Sequence, residues 1–200
     1  MNLKERLLKK YGKNQPIFIN EVRFSGLSDN YIRTEITRMA KRGEIKRYMK
    51  GVYYFPSGKF KLSPLKICGG KYLRRNGQAS GFYSGANLRN LLGISTQVPF
   101  ITEITTNAVT RSRRVRIGVY RFVLLPPRVK ISNRNLSALQ LLNVVETTAL
   151  ASFERSVIQE LLTFIQKKRI TKSMVSNVIG AYPKDTLPKL QKTGLFDALA

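Results

Sequence analysis

Leu3, Leu7, Leu8 and Tyr11 recur at helical spacing and Gly12 follows them, which predicts a first helix over about Leu3 to Tyr11. A short extended piece, Ile17-Phe18-Ile19, then leads to a predicted second short helix near Asn20 to Phe24 and a turn at Ser25-Gly26-Leu27. The third predicted helix has the most complete set of local signals. Ser28 is a good N-cap, Asp29 sits in the first turn, and Gly43 is placed to end the helix. Leu27 and Ile32 have the spacing of a hydrophobic staple across that N-terminus. Ile32, Ile36, Met39 and Ala40 form an apolar stripe, and Asn30, Arg33, Thr34, Thr37, Arg38 and Lys41 lie opposite it. Residues 44–55 then alternate β-branched and aromatic residues around Lys50-Gly51, the pattern of a β-hairpin with glycine in its turn.

Beyond Pro56-Ser57-Gly58-Lys59, the best linker candidate, the pattern changes. Pro64 to about Asn76 reads as a helix ended by Gly77. Ser84 then caps a shorter helix with apolar Ala86, Leu88, Leu91 and Leu92, closed by Gly93. Ile101 to Val109, Val115 to Ile117 and Val119 to Leu125 favour strand, with the Arg-rich connection Thr110-Arg111-Ser112-Arg113-Arg114 among them. After Pro126-Pro127 the spacing turns helical again. Leu139, Leu142 and Val145 mark a helix over Leu136 to Leu150, and Val157, Leu161, Leu162 and Ile165 mark another over Ser152 to Lys168. Tyr182-Pro183 and Leu187-Pro188 interrupt the remaining stretch and leave a short terminal helix near Leu190 to Leu199. These last helices read as core, with a partner surface as the alternative. The expected class is α+β: a winged helix-turn-helix over residues 1–60, then a mixed α/β domain over 61–200 with a small antiparallel sheet and C-terminal helices.

Charge changes this picture from a fold to a partner. The 200 residues carry 36 Lys or Arg, 11 Asp or Glu and no His, a formal net charge of +25. By segment the net is +10 over residues 1–62 (15 basic, 5 acidic), +11 over 63–130 (12 and 1) and +4 over 131–200 (9 and 5). Such an excess repels itself in the compact state, so a polyanionic partner is expected, and duplex DNA fits the third helix. In a winged helix-turn-helix that helix enters the major groove. Arg33 and Arg38 can pair bidentately with guanine and Asn30 with adenine, while Thr34, Thr37 and Lys41 share their face. Lys46, Arg47 and Lys50 on the hairpin suit phosphate contacts, which fix register without reading sequence. A solvated amphipathic helix beside a hairpin is the bland alternative, and it leaves the shared sign of charge unexplained. Arg111, Arg113, Arg114, Arg116 and Arg121 form a second basic group. It reads either as a further surface for nucleic acid or a protein partner, or as a solvated loop that blunts a sheet edge.

The same composition excludes much chemistry. Without histidine there is no His-based triad, Cys/His zinc site or H-E-x-x-H motif. Glu103 is the lone acid of residues 63–130, too few carboxylates for a Mg²⁺ site, and no phosphate-binding Gly-rich loop is present. No catalytic residue, metal or cofactor is therefore expected, and the chain does not read as an enzyme. Cys68, the single cysteine, reads as a small packed residue and fits a reducing cytoplasm. No apolar run reaches the ~18 residues of a membrane span, and residues 1–10 do not read as a signal peptide.

Two blocks of sequence carry a resemblance. The first runs from Ile32-Arg33 through Arg38-Met39-Ala40-Lys41-Arg42-Gly43-Glu44-Ile45 to Lys50-Gly51-Val52-Tyr53-Tyr54-Phe55-Pro56. The second comprises Ser84-Gly85-Ala86-Asn87-Leu88, Leu91-Leu92-Gly93-Ile94-Ser95-Thr96-Gln97-Val98-Pro99 and Ile104-Thr105-Thr106-Asn107. In this order, across residues 1–125, they resemble the AbiEi-type antitoxins of type IV toxin–antitoxin systems, which act in abortive infection. The resemblance implies a non-catalytic transcriptional autorepressor whose second domain counteracts a nucleotidyltransferase-like toxin. Repeats in its own promoter are the expected operator, and repeat operators commonly place two protomers on one duplex, although the oligomeric state is left open. The competing expectation is an RNA-binding or ribosome-associated basic protein. Neither an RNP-type aromatic strand nor a GXXG clamp is present to favour it.

Overall fold

A computed structural model describes residues 1–58 and 62–200. The chain divides into two compact units, Met1–Lys71 and Tyr72–Ala200. Both mix helices with small sheets, so the class is α+β. The boundary expected after residue 60, and Lys59 of the expected linker, fall outside the described residues. Ser57 of that linker is tied down. The Asn14 amide donates to the Ser57 carbonyl (2.8 Å) and accepts from the Ser57 N–H (2.9 Å).

The first unit opens with helix α1 (Leu3–Tyr11), whose N-terminus is closed by a reciprocal capping box between Asn2 and Glu5. Strand β1 (Ile17–Phe18) follows. The helix expected at Asn20 to Phe24 is instead a single 3-10 turn, Ile19–Glu21. Only Val22 in this stretch is fully buried, so no apolar stripe exists to stabilise a longer helix. Helix α2 (Asp29–Lys41) begins where its signals place it: Ser28 Oγ accepts from the Tyr31 N–H at 3.2 Å, and Gly43 follows at φ 76°. Strands β2 (Lys46–Met49) and β3 (Val52–Tyr54) form the hairpin, with Gly51 at φ 80° in its turn. β3 lies between β1 and β2, and both pairings are antiparallel. Leu3, Leu7, Ile17, Val22, Ile32, Ile36, Met39, Ile45, Tyr53 and Phe55 make one core beneath α1, α2 and the sheet.

The helix expected from Pro64 to Asn76 is broken up. Helix α3 covers Pro64–Cys68, a π turn takes Gly69–Leu73, and β4 (Arg74–Arg75) pairs with β5 (Gln78–Ala79). Asn76 (φ 51°) and Gly77 (φ 76°) are both left-handed, so this pair makes a hairpin turn rather than a helix end. Cys68 is buried, and that burial pushes its thiol up to about 12.

In the second unit β6 (Gly81–Tyr83), β7 (Thr102–Thr106), β8 (Arg113–Ile117) and β9 (Tyr120–Leu125) form one sheet in the order β6-β7-β9-β8. The small antiparallel sheet expected here is mixed, because β7 and β9 run parallel. The chain leaves β7, passes the neighbouring position, lays β8 at the edge and returns as β9 to fill the gap. Asn107, just past β7, holds this departure by exchanging two 2.9 Å hydrogen bonds with the Ile131 backbone. Gly81 leaves room for a close approach: a Cβ there would sit 2.2 Å from the Tyr72 carbonyl oxygen.

Helices α4 (Gly85–Leu91), α5 (Leu136–Thr147), α6 (Arg155–Lys168), α7 (Lys172–Ile179) and α8 (Thr186–Lys192) supply the helical layer. α5 is its axis. Ala138, Leu139, Leu141, Leu142, Val144 and Val145 are all buried against α4, α6, α7, α8 and β6, so most of the helix circumference is covered, while Gln140 and Asn143 are half-buried and Thr147 is exposed. Of the apolar residues of α4, Leu88 is buried and Leu91 is 63% exposed. One expectation is corrected: the last helix begins at Thr186, with Pro188 in its first turn where a missing N–H costs no helical hydrogen bond.

The buried positions of α2 and α5 give a direct test. Ile36→Ala in α2 and Leu141→Ala in α5 should each cost about 2–5 kcal/mol in urea denaturation, and exposed Thr37→Ala should stay within about 0.5 kcal/mol. Equal losses for all three would contradict this division of core from surface.

Candidate nucleic-acid interface

The outer face of α2 is set by its inner one. Ile32, Ile36 and Met39 are buried, and the helical repeat turns Asn30, Arg33, Thr34, Thr37, Arg38 and Lys41 outward, where all six are exposed. The six are not electrostatically alike. Glu35 lies 2.8 Å from Arg42 and 3.8 Å from Arg38, so Arg38 is partly compensated. Arg33 and Lys41 take part in none of the ion pairs among the described residues. The Thr37 hydroxyl donates to the Arg33 carbonyl at 2.9 Å, which leaves its lone pairs free to accept. Arg33 is thus the guanidinium on this face with its fork open.

Lys46, Arg47 and Lys50 are also exposed, but they do not share one face. Lys46 pairs with Tyr54 and Arg47 with Tyr53, so the two point to opposite sides of the hairpin, and a bulge separates Arg47 from Met49. Lys50 stands in the turn, where its carbonyl accepts from Lys71 Nζ at 3.2 Å. Lys71 therefore adds a second ammonium at the hairpin tip, which its distance along the chain conceals. Arg6 and Lys10, one helical turn apart on α1, both approach the Phe24 ring (5.8 and 5.2 Å to its centre).

The acids of this unit mostly hold joints. Glu44 meets Lys4 at 2.9 Å and also pairs with Arg42, linking α1 to the end of α2. Arg42, then Lys4, hold the Glu44 carboxyl below its ordinary range, while Glu35 and Glu44 raise Arg42.

In the second unit, Arg113, Arg114 and Arg116 lie in edge strand β8, which corrects the expectation that most of this group forms a connecting loop. Only Arg111 remains in the connection, and Arg121 lies in β9. All five are exposed. Cross-strand register divides them. Arg114 pairs with Val123 and Arg116 with Arg121, so these three arginines share one face, and Arg113, opposite Leu124, points to the other. Between this sheet and α5 lies a cavity of about 490 Å³ lined by Phe82, Thr105, Leu139, Asn143, Glu146 and Tyr182. Its polar groups hold one another: Arg128 clasps Glu146 and lies 5.5 Å from the centre of the Tyr182 ring, whose hydroxyl donates to the Leu139 carbonyl.

Among the described residues no group of three His, Cys, Asp or Glu could hold a metal ion, and no helix is long and apolar enough to cross a membrane. No protein-family model matches the chain, and no curated protein matches it.

The Glu44 joint has a signed pH dependence. A carboxyl held low in the folded state adds stability above its unfolded value and loses it as pH falls through the folded one. The melting temperature should therefore drop on acidification below the carboxylate range, and Glu44→Gln should drop less over the same interval. Parallel curves for variant and wild type would show that the pair contributes nothing.

Proposed function

We propose that the first unit is a winged helix-turn-helix that docks on duplex DNA, and that the chain is a transcriptional autorepressor and antitoxin. One observation carries the DNA-binding part: α2 turns six polar or basic side chains outward on a single face, with Arg33 in no ion pair among the described residues, beside a basic hairpin. In this reading α1, the Ile19–Glu21 turn and α2 are the three helical elements, and β2–β3 is the wing. Arg33 and Asn30, in the N-terminal half of α2, read base edges; Arg38 does so after releasing Glu35. Lys46, Arg47, Lys50 and the neighbouring Lys71 neutralise phosphates. The antitoxin part rests on the resemblance of the two sequence blocks within residues 32–56 and 84–107, and its partner would be a nucleotidyltransferase-like toxin.

Gel shifts on the DNA upstream of the chain's own gene, against random duplex at matched salt, test the first part. Promoter DNA should bind more tightly. Arg33→Ala should erode that preference by about 1–3 kcal/mol, and Lys50→Ala should weaken both duplexes alike and lower the salt slope by about 0.9. Equal competition by the two duplexes ends the repressor reading. Co-expression with the product of a neighbouring nucleotidyltransferase-like gene tests the second part, since the chain should restore growth that the product alone arrests. Persistent arrest ends the antitoxin reading.

A further inference from the structure

The β8–β9 side of the second unit presents an arrangement that duplex binding by α2 does not use. Arg114, Arg116 and Arg121 project from one sheet face. Arg114 and Arg116 are two residues apart along β8, roughly 6–7 Å, and Arg116 and Arg121 stand directly opposite across the strand pair. No carboxylate neutralises them: none of the three joins an ion pair among the described residues. Glu103, the acid on the same face through its register with Val123, is turned towards Gly85, where a Cβ would sit 2.1 Å from its Oε2. Arg116 Nε donates to the Gly118 carbonyl at 3.0 Å, which fixes the guanidinium and leaves its terminal nitrogens open.

Beside these arginines stands an aromatic ring in water. Phe100 is 85% exposed, and the Arg121 guanidinium lies 5.6 Å from its centre. Ile101, which precedes β7 beside Arg121, and Val119 in the β8–β9 turn are exposed as well, at 40% and 77%. Exposed apolar groups gathered next to uncompensated arginines suit a partner with flat apolar faces and a regular row of anions. Unpaired nucleobases joined by phosphodiesters have both. A duplex offers the phosphates but keeps its base faces stacked inside, where Phe100 has nothing to cover.

We propose that this face binds single-stranded nucleic acid, with Arg114, Arg116 and Arg121 on successive phosphates and Phe100 stacked on a base. The site is independent of the α2 face and of the antitoxin reading.

Fluorescence anisotropy of the full chain with labelled 20-nucleotide oligo(dT), oligo(U) and a random 20-base-pair duplex tests it. Phe100→Ala should weaken both single strands roughly tenfold or more and leave the duplex unchanged. Arg116→Ala with Arg121→Ala should weaken them further and lower the single-strand salt slope by about 0.7 per lost contact. Arg33→Ala should affect the duplex alone. Tighter oligo(U) than oligo(dT) would make RNA the ligand, the reverse DNA, and equal binding a site that accepts both. The proposal falls if Phe100→Ala leaves single-strand affinity intact, since no base then stacks there. It also falls if the double arginine variant weakens duplex and single strand equally, or changes neither, as expected of a face meant for an acidic protein. All of these side chains are exposed, so unchanged circular dichroism and melting temperature should accompany each variant.

Discussion

Eleven carboxylates serve 36 cationic side chains in this chain, and their placement governs what the surface can do. Several stand at joints. Glu44 ties Lys4 of α1 to Arg42 at the end of α2, Glu35 takes Arg42 from within the same helix, Glu146 of α5 holds Arg128, and Glu103 is pressed towards Gly85. An acid held by a local partner cannot screen a distant arginine well, because exposed charges interact over only about a Debye length of 8 Å at physiological salt. The outer face of α2 and the arginine face of the sheet are left basic as a result. Self-repulsion on those faces is a standing cost to the folded state, and binding a polyanion relieves it.

The two units meet this constraint on different kinds of core. In the first, α2 is strictly two-sided: Ile32, Ile36 and Met39 are buried against α1 and the small sheet, and the opposite side is entirely free for charge. In the second, α5 is buried over most of its circumference and the outer helices α4, α6, α7 and α8 carry much of the polar surface. Charge can therefore be dense on a helix in the first unit, whereas in the second it collects on a strand at the sheet edge. An edge strand is a natural place for arginines, since they discourage pairing with a foreign strand while their guanidinium groups remain free to bind.

Legibility along the chain follows the range of the interaction responsible. α1 and α2 are readable to the residue because an N-cap, a 3.6-residue apolar repeat and a closing glycine all act within a few positions. The stretch from Pro64 to Gly77 misleads because Ser63-Pro64 starts a helix well, yet two local signals argue against its length: Gly69-Gly70, where α3 ends, and the left-handed Asn76-Gly77 pair, a hairpin signal. α7 has a faint signature, since Val175 and Val178 alone mark its buried side in eight residues. Among the site residues, the exposure of the α2 face is legible from periodicity. The partial compensation of Arg38 by Glu35 is present in their three-residue spacing, yet the priority of Arg42 for that acid is not.

By itself the sequence determined the two-sided α2, the hairpin at Gly51, the strand character of residues 102–106, 115–117 and 120–125, and a net charge of +25. Only the tertiary structure decided that β7 runs parallel to β9 and that Arg114, Arg116 and Arg121 share a face while Arg113 does not. It also brought Lys71 to the Lys50 turn and Arg121 to the Phe100 ring. The reason is physical. Periodicity and capping are set by neighbours a few bonds away, but strand register and the meeting of distant side chains are set by which surfaces bury together, and a linear pattern does not encode that choice locally.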